Sequence, residues 1–542
     1  MPSLPTSRFY YTKELYIEDW LIMNPDALSL TPQLLWRPLL ASRYSQHSLI
    51  HHHGFSCRKA DCLGGALNPP VSDTSTTGFL NDIIAQLWPN INVAGSRMVK
   101  EIVEPMFAEM LPGPLASLRF TKVDLGSIPL RVSAVDVHKT DNEGIKLDMD
   151  VVWEGDSDID LDGHLVPKLG IEHIHLKGRL CVLLAPLTNI LPLNKTKIGA
   201  AQVAFINPPE LELDFTGAAE VADWALVDKA IRKVILNIIS SMAVLPNRYL
   251  VKLDANNDFF KTYLPQHGVL RLTVEKATGV TGEKKSGAKK FFSKLIKDVP
   301  DCYCRVAVGA AEEWRTSTQE DTFDPVWNET HDFLVADYEQ RITFDMNDKD
   351  PGSDEDIGEA TTTVRNILLS GGSLTLPCLH KGEPTGADLT VHAKFFNFTD
   401  DAGALSSTSS TAEGQIVGLA TVLIASALGL QGQRDELNPS IKVTWGAKEF
   451  RTAAKKYTPG SDIWNPAFDQ AFQIPVTADL LADPASFRIV LMDGTRETGA
   501  VEIPFSEMLE APGLVKEESF QMGAGATVRA SITLRGLQEA SS

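Results

Sequence analysis

The feature that most narrows the folds open to this chain is a duplication. Residues 301–309 read DCYCRVAVG and residues 438–446 read NPSIKVTWG; the first segment is followed by Trp327-Asn328-Glu329 and the second by Trp464-Asn465-Pro466. Asp301 and Asn438, Gly309 and Gly446, and Trp327 and Trp464 are each 137 positions apart. Three equal offsets indicate two copies of one structural unit. Each copy, 265–398 and 414–538, consists of short alternating strands with turn residues between them, the pattern of an eight-stranded antiparallel sandwich. The stretch between the copies, 399–413, is rich in Ser, Thr, Ala and Gly and reads as a flexible linker that lets them orient separately.

A chain of 542 residues needs more than two such sandwiches to account for it. Residues 77–258 carry a different pattern. Phe79, Ile83 and Leu87, then Met98, Ile102 and Met106 with Val99, Val103 and Phe107, recur at spacings of three and four. They predict two amphipathic helices around Trp88-Pro89. Strands follow. Ile145, Leu147, Met149 and Val151 share one face against Lys146, Asp148 and Asp150; Ile174, Leu176, Leu180 and Val182 oppose His173, His175, Lys177 and Arg179; Leu211, Leu213 and Phe215 oppose Glu210, Glu212 and Asp214. A helix at 227–245 presents Ile231, Val234, Ile235, Ile238 and Ile239. The polar faces are clean and belong in solvent. The apolar faces must meet something inside, and by pattern alone that is either ordinary core under the last helix or an apolar groove. The expected fold is α+β for this unit and all-β for the two sandwiches.

Composition excludes several classes. A formal net charge of −20 argues against a nucleic-acid binder, which needs a basic face, and makes any contact with an anionic membrane local. Six cysteines without disulfide-dense spacing fit a reducing setting. The longest weakly polar run, 416–430, is too short to span a bilayer and reads as a buried strand, so no membrane span is expected. Residues 1–76 form a poorly defined segment. Its apolar part, 20–40, is broken by Pro25, Pro32 and Pro38, and His51, His52, His53, Cys57 and Cys62 match no paired zinc spacing. There is no GxSxG elbow, GxxxxGK[ST] loop or HExxH pair to suggest an enzyme.

Several motifs of the 77–253 stretch carry a resemblance. In order they are Trp88-Pro89, Glu104-Pro105, FTKVDLG at 120–126, Pro129-Leu130, Ile159-Asp160-Leu161, Leu184-Ala185-Pro186-Leu187 and Leu245-Pro246-Asn247-Arg248. They resemble the SMP domain of extended synaptotagmins and tricalbins, and both sandwich copies resemble C2 domains in the order that family uses. The resemblance implies a TULIP-like half-barrel whose groove takes the acyl chains of glycerophospholipids. Ile145, Leu147, Met149, Val151, Ile174, Leu176, Leu180, Val182, Leu211, Leu213 and Phe215 would line that groove as a set. It also implies a homodimer joined end to end through this domain, and work at endoplasmic reticulum–plasma membrane contacts on the cytosolic face. The membrane hairpin that usually precedes the SMP domain in that family has no counterpart here.

The first C2-like copy has the chemistry. In NDKDPGSDEDIG, Asp348, Asp350, Asp354, Glu355 and Asp356 crowd one stretch after a strand at 341–344. Calcium takes six to eight hard oxygen ligands, which clustered carboxylates supply. In the family the ion sits between this loop and an earlier one, where Asp301 stands at the matching position; Asp348 and Asp350 match its aspartate pair, and Asp354 or Glu355 would serve as the later ligand. The family's first aspartate of the early loop is missing, with Gly282-Glu283 near its place. Within 282–298, Lys284, Lys285, Lys289, Lys290, Lys294 and Lys297 flank Phe291 and Phe292. Such a segment inserts rings while its ammoniums meet anionic headgroups, at about 1 kcal/mol per lysine. A solvated acidic turn and a basic loop without ligands are the plain alternatives. The second copy has Asn438 in place of Asp301 and retains only Asp493 and Glu497 in its late loop, so it is expected to be calcium-independent; Lys442, Lys448, Arg451, Lys455 and Lys456 could give it a basic face. The expected function is calcium-regulated tethering with glycerophospholipid transfer. The alternatives are a tether without transfer and a C2-targeted lipid enzyme.

Overall fold

The structure is a computed structural model that describes residues 74–280 and 299–540, apart from 112, 141–143, 165, 191–194, 218–223, 255–256, 312, 351–353, 407–413 and 483. The chain opens with helix α1 (Thr74–Met98), one π-helical turn (Val99–Val103) and α2 (Glu104–Met110). The two helices expected around Trp88-Pro89 are therefore one, and Pro89 lies inside it. Trp88 pins this point: its indole Nε1 donates to the Gly126 carbonyl at 3.0 Å and its ring meets Trp153 edge-on at 5.5 Å. Pro89 itself is exposed, so the carbonyl it leaves unpaired within the helix can reach water.

Eight strands form the first sheet: β1 (Arg119–Asp124), β2 (Arg131–Lys139), β3 (Ile145–Gly155), β4 (Asp158–Gly163), β5 (Val166–Ile190), β6 (Lys195–Phe205), β7 (Glu210–Thr216) and β8 (Tyr249–Lys252). The long strand β5 is the spine. It pairs with β4 and β7 at its start and with β3 and β6 toward its end, always antiparallel. Helix α3 (Trp224–Ala243) lies across one side of the sheet. Ile231, Val234 and Ile238 of α3 pack with Phe107, Leu118, Phe120, Leu161, Ile171 and Leu213. These are the residues that the i, i+3, i+4 and i, i+2 patterns assign to the interior.

The first sandwich comprises β9 (Gly268–Thr278), β10 (Cys302–Val308), β11 (Trp314–Arg315), β12 (Val326–Val335), β13 (Arg341–Asp348), β14 (Glu355–Thr363), β15 (Ser373–His380) and β16 (Glu383–Thr399). The second comprises β17 (Ile416–Leu428), β18 (Pro439–Trp445), β19 (Lys448–Arg451), β20 (Ala467–Thr477), β21 (Phe487–Asp493), β22 (Arg496–Ile503), β23 (Val515–Gly523) and β24 (Ala526–Glu539). The duplication extends to packing: β10 and β18 share one burial sequence along their seven residues. Gly309 and Gly446 both turn the chain at φ +58°, a left-handed conformation that favours glycine. The weakly polar run at 416–430 is strand β17, nearly all of it buried.

The two sandwiches do not orient separately. β16 of the first pairs with β24 of the second, from Phe396 opposite Glu539 to Thr399 opposite Gly536, so one twelve-stranded sheet runs through both. A short helix (Ala402–Ser406) at the head of the expected linker packs on β24, so closely that a side chain at Gly536 would collide with Ala404. Buried Asp332 completes the joint. It accepts both Arg271 nitrogens and the Ile416 amide, each at 2.8 Å. The linker's composition suggested freedom because it carries no pattern; the restraint comes from strands distant in sequence. Asp332→Asn keeps the shape and loses the charge assistance, so it is expected to cost about 1 kcal/mol and to split the calorimetric transition of the paired sandwiches.

Candidate functional site

On β3, β5 and β7 the side that faces the helices is only partly covered. Of the eleven expected groove residues, Met149, Val151 and Leu213 are buried and the other eight are half-buried. The same holds on β6, where Ala201, Val203 and Phe205 on this side are half-buried. Leu147, Leu180 and Val182 gather with Leu80 and Ile84 of α1, while Ile174, Leu211 and Phe215 gather with α2 and α3. The two sets lie side by side along the helix-facing side of the sheet.

The outer side of the sheet reverses the expectation of a clean polar surface. His173, His175, Lys177 and Arg179 keep the first half of β5 polar, but Cys181, Leu183 and Ala185 further along are fully buried. The first sandwich covers this part: Cys181, Ala204, Ile206 and Leu245 pack with its Ala336. Of Lys146 and Asp148, both expected in solvent, Asp148 is buried here and Lys146 is half-buried. The Lys146 ammonium lies 2.5 Å from Asp337 of the sandwich and 3.0 Å from Asp148. Burial works against its charge, yet the Asp337 and Asp148 carboxylates outweigh that and raise its pKa. Asn207 adds two bonds, donating to the Glu339 carbonyl at 2.9 Å and accepting the Arg341 amide at 2.6 Å.

The second sandwich docks beside it. Ala200, Leu250 and Phe259 pack with Leu423 and Ala425, and Lys252 pairs with Asp469, both buried. None of these docking residues stood out as functional from the sequence. The signal was there in LCVLLAPL at 180–187, a continuous apolar run of the kind that marks a strand covered on both faces.

The first sandwich meets the first sheet at the turn before β13, and the acidic stretch lies at the other end of β13, ~23 Å away at 3.3 Å per residue. β13 extends to Asp348, which sits at the end of the ladder opposite Cys302. Its carboxylate accepts the Asp301 amide at 2.7 Å, and Asp301 in turn accepts the Asp321 amide at 2.9 Å. Asp493 of the second sandwich holds the Asn438 amide in the same way at 2.9 Å. This contact is thus part of the shared framework. In the second copy Arg496 also bonds Asp493 at 3.1 Å.

Asp350 is half-buried in the loop beyond. Asp354 turns to the Tyr303 hydroxyl, and Glu355 pairs across the ladder from Asp348. Burial together with the Asp348 and Asp301 charges pushes the Cys302 thiol up to about 12. The structure therefore brings Asp301 and Asp348 together but not Asp354, and among the described residues no three His, Cys, Asp or Glu side chains form a group that could hold a metal ion. The basic segment, with Lys284, Lys285, Lys289, Lys290, Phe291, Phe292, Lys294 and Lys297, lies outside the described residues, as do Gly282, Glu283 and the His51–Cys62 cluster. Among the described residues no helix is long and apolar enough to cross a membrane.

Residues 73–254 match the synaptotagmin-like mitochondrial-lipid-binding domain, and residues 268–376 and 418–522 each match the C2 domain. Extended synaptotagmin-1 of Pongo abelii is 27% identical over 467 residues, 83% of this chain and 40% of the relative. Extended synaptotagmin-2 of Mus musculus is 26% identical over 488 residues, 86% of this chain and 55% of the relative. The chain is homologous to the extended synaptotagmins. It spans about half or less of the length of these curated relatives. A solved structure of the SMP domain and two C2 domains of extended synaptotagmin 2 superposes with a TM-score of 0.57 at 23% identity, covering 85% of this chain and 99% of that one. The fold is that of an SMP half-barrel followed by two C2 sandwiches.

Proposed function

We propose that this chain carries glycerophospholipids between two membranes that it also holds together. The observation that carries this reading is the partial burial of an apolar face: eight of the eleven residues that β3, β5 and β7 turn toward the helices are half-buried, while the C2 domains cover the outer side of β6 and of the second half of β5. A trough along such a face replaces the bilayer around two acyl chains, at about 0.8 kcal/mol per methylene, so extraction of a lipid need not be steeply uphill. Ile145, Leu147, Met149, Val151, Ile174, Leu176, Leu180, Val182, Leu211, Leu213 and Phe215 line it in this reading. Two copies join through their SMP domains, and the C2 domains hold an anionic membrane at endoplasmic reticulum–plasma membrane contacts, on the cytosolic side. Mass spectrometry of lipid co-purifying with the whole chain tests the trough: about one phospholipid per chain supports it, and a lipid-free preparation overturns it.

Calcium is the regulator in this reading. The donor types suit it: Asp301 and Asp348, which lie together, and Asp350 and Glu355 close to them in sequence or across the ladder, offer hard carboxylate oxygens and no nitrogen or sulfur. Bound there, the ion would supply positive charge facing an anionic bilayer. The SMP domain docks at one end of β13, and Asp301 and Asp348 lie at the other, so the ion would sit at the end of the sandwich remote from the SMP sheet. The double variant Asp348→Asn/Asp350→Asn keeps the acceptor for the Asp301 amide and removes charge. Calcium-stimulated pelleting with phosphatidylserine liposomes is expected to fall at least about tenfold, on the order of 1.4 kcal/mol, with unchanged thermal stability. Full calcium-stimulated pelleting by the variant would remove these aspartates from the mechanism.

A further inference from the structure

The SMP domain and the second C2 domain enclose a cleft of about 630 Å³. One wall is the π-helical turn and α2, which contribute Glu101, Ile102, Pro105, Met106 and Glu109; the other is the 453–467 segment of the C2 domain, with Lys455, Lys456 and Ile463. Such a volume lies in the range of small-ligand sites, and single π turns within helices are frequent at functional sites. The C2 wall is built rather than loose: the Ala453 amide bonds Gln470 at 2.9 Å and the Lys455 amide bonds the Pro439 carbonyl at 2.8 Å. Lys455 and Lys456 make no ion pair among the described residues. Met106 looks both ways. It lines the cleft and, like Ile174, Leu211 and Phe215, packs against the buried core that includes Leu213.

We propose that this cleft receives the zwitterionic headgroup of a glycerophospholipid whose acyl chains lie in the trough, with the phosphate on Lys455 and Lys456 and the amine on the acidic SMP wall at Glu109. Charge of both signs on facing walls selects this ligand over a purely anionic one, and the apolar floor at Ile102, Met106 and Ile463 accepts the first methylenes of the chains. The second C2 domain thus serves as a gate to the acyl-chain site. The inference rests on the lipid-carrying reading above.

The test uses the full chain and transfer of fluorescent phosphatidylcholine or phosphatidylglycerol between phosphatidylcholine vesicles. Lys455→Ala/Lys456→Ala is expected to slow phosphatidylcholine transfer about tenfold, the loss of one charge-assisted contact, while vesicle pelleting is unchanged. Glu109→Gln is expected to shift the phosphatidylcholine to phosphatidylglycerol transfer ratio about threefold toward phosphatidylglycerol. Wild-type transfer by the lysine variant overturns the proposal. So does a parallel loss of pelleting, which would place the lysines on the bilayer surface. Tight binding of glycerophosphocholine with unaffected lipid transfer would reassign the cleft to a free phosphodiester. Lipid co-purifying with the wild-type chain is scored separately, so that failure of the cleft is distinguished from failure of the trough.

Discussion

Lys146→Met is expected to destabilise the docked assembly by about 3–5 kcal/mol and to free the first C2 domain from the SMP sheet. The substitution takes the ammonium from Asp337 and Asp148, each with only 7% of its side chain exposed, and leaves them the Glu339 amide and His138 respectively, in a poorly solvated contact. Combining it with Asp337→Leu should recover part of the loss, since an apolar pair of similar volume tolerates the site. Denaturant unfolding gives the energy, and X-ray scattering gives the expansion. If Lys146→Met stays compact with unchanged stability, the ion pair does not hold the domains.

The same contact sets a pH dependence. Burial tends to raise the Asp337 pKa, but the Lys146 charge and hydrogen bond prevail and hold it below the usual carboxylate range. A depressed folded pKa contributes stability that is present above the unfolded value, about 3.9, and is lost as pH falls through the folded one. Lys146 is raised, so its contribution is present below the ordinary lysine value, about 10.4, and is lost only as pH rises through a still higher one. Undocking is therefore expected in strong acid or strong alkali, and not between about pH 5 and 9.

Filling the trough should have the largest functional effect. In Leu176→Trp/Val182→Trp both positions point to the helix side and both are half-buried. Two indoles then occupy the space assigned to acyl chains. Co-purifying lipid is expected to fall close to zero and transfer at least about tenfold, or 1.4 kcal/mol, with little change in melting temperature. Overpacking a closed core has a different signature, a loss of about 1–3 kcal/mol for each site. A variant that unfolds early while the wild type holds no lipid would show the interior to be solid.

Much of the architecture was legible because it is written in local periods. Ile145, Leu147, Met149 and Val151 alternate because successive side chains of a strand leave opposite faces, and Ile231, Val234 and Ile238 recur because a helix returns every 3.6 residues. The split of Trp88-Pro89 into two helices failed for a non-local reason, the anchor that Trp88 finds on Gly126 and Trp153. The crowding of carboxylates in the acidic stretch is legible in the sequence, but the direction of each is not: Asp354 serves the Tyr303 hydroxyl, and Asp348 holds a backbone amide as its counterpart Asp493 does.

The amino-acid order settles the duplication, the kinds of element in each unit and which residues share a face, since these follow from backbone geometry over a few neighbours. It does not say which face meets which partner. Lys146 meets Asp337 across 191 positions, Gln473 meets Gln266 across 207, and β16 meets β24 with a whole domain between them. Such pairings have no period, because they form only where two finished surfaces match in shape and charge. The contacts that join the three domains, the cover over part of the SMP sheet's outer side and the charged cleft between the SMP domain and the second C2 domain are decided at that level.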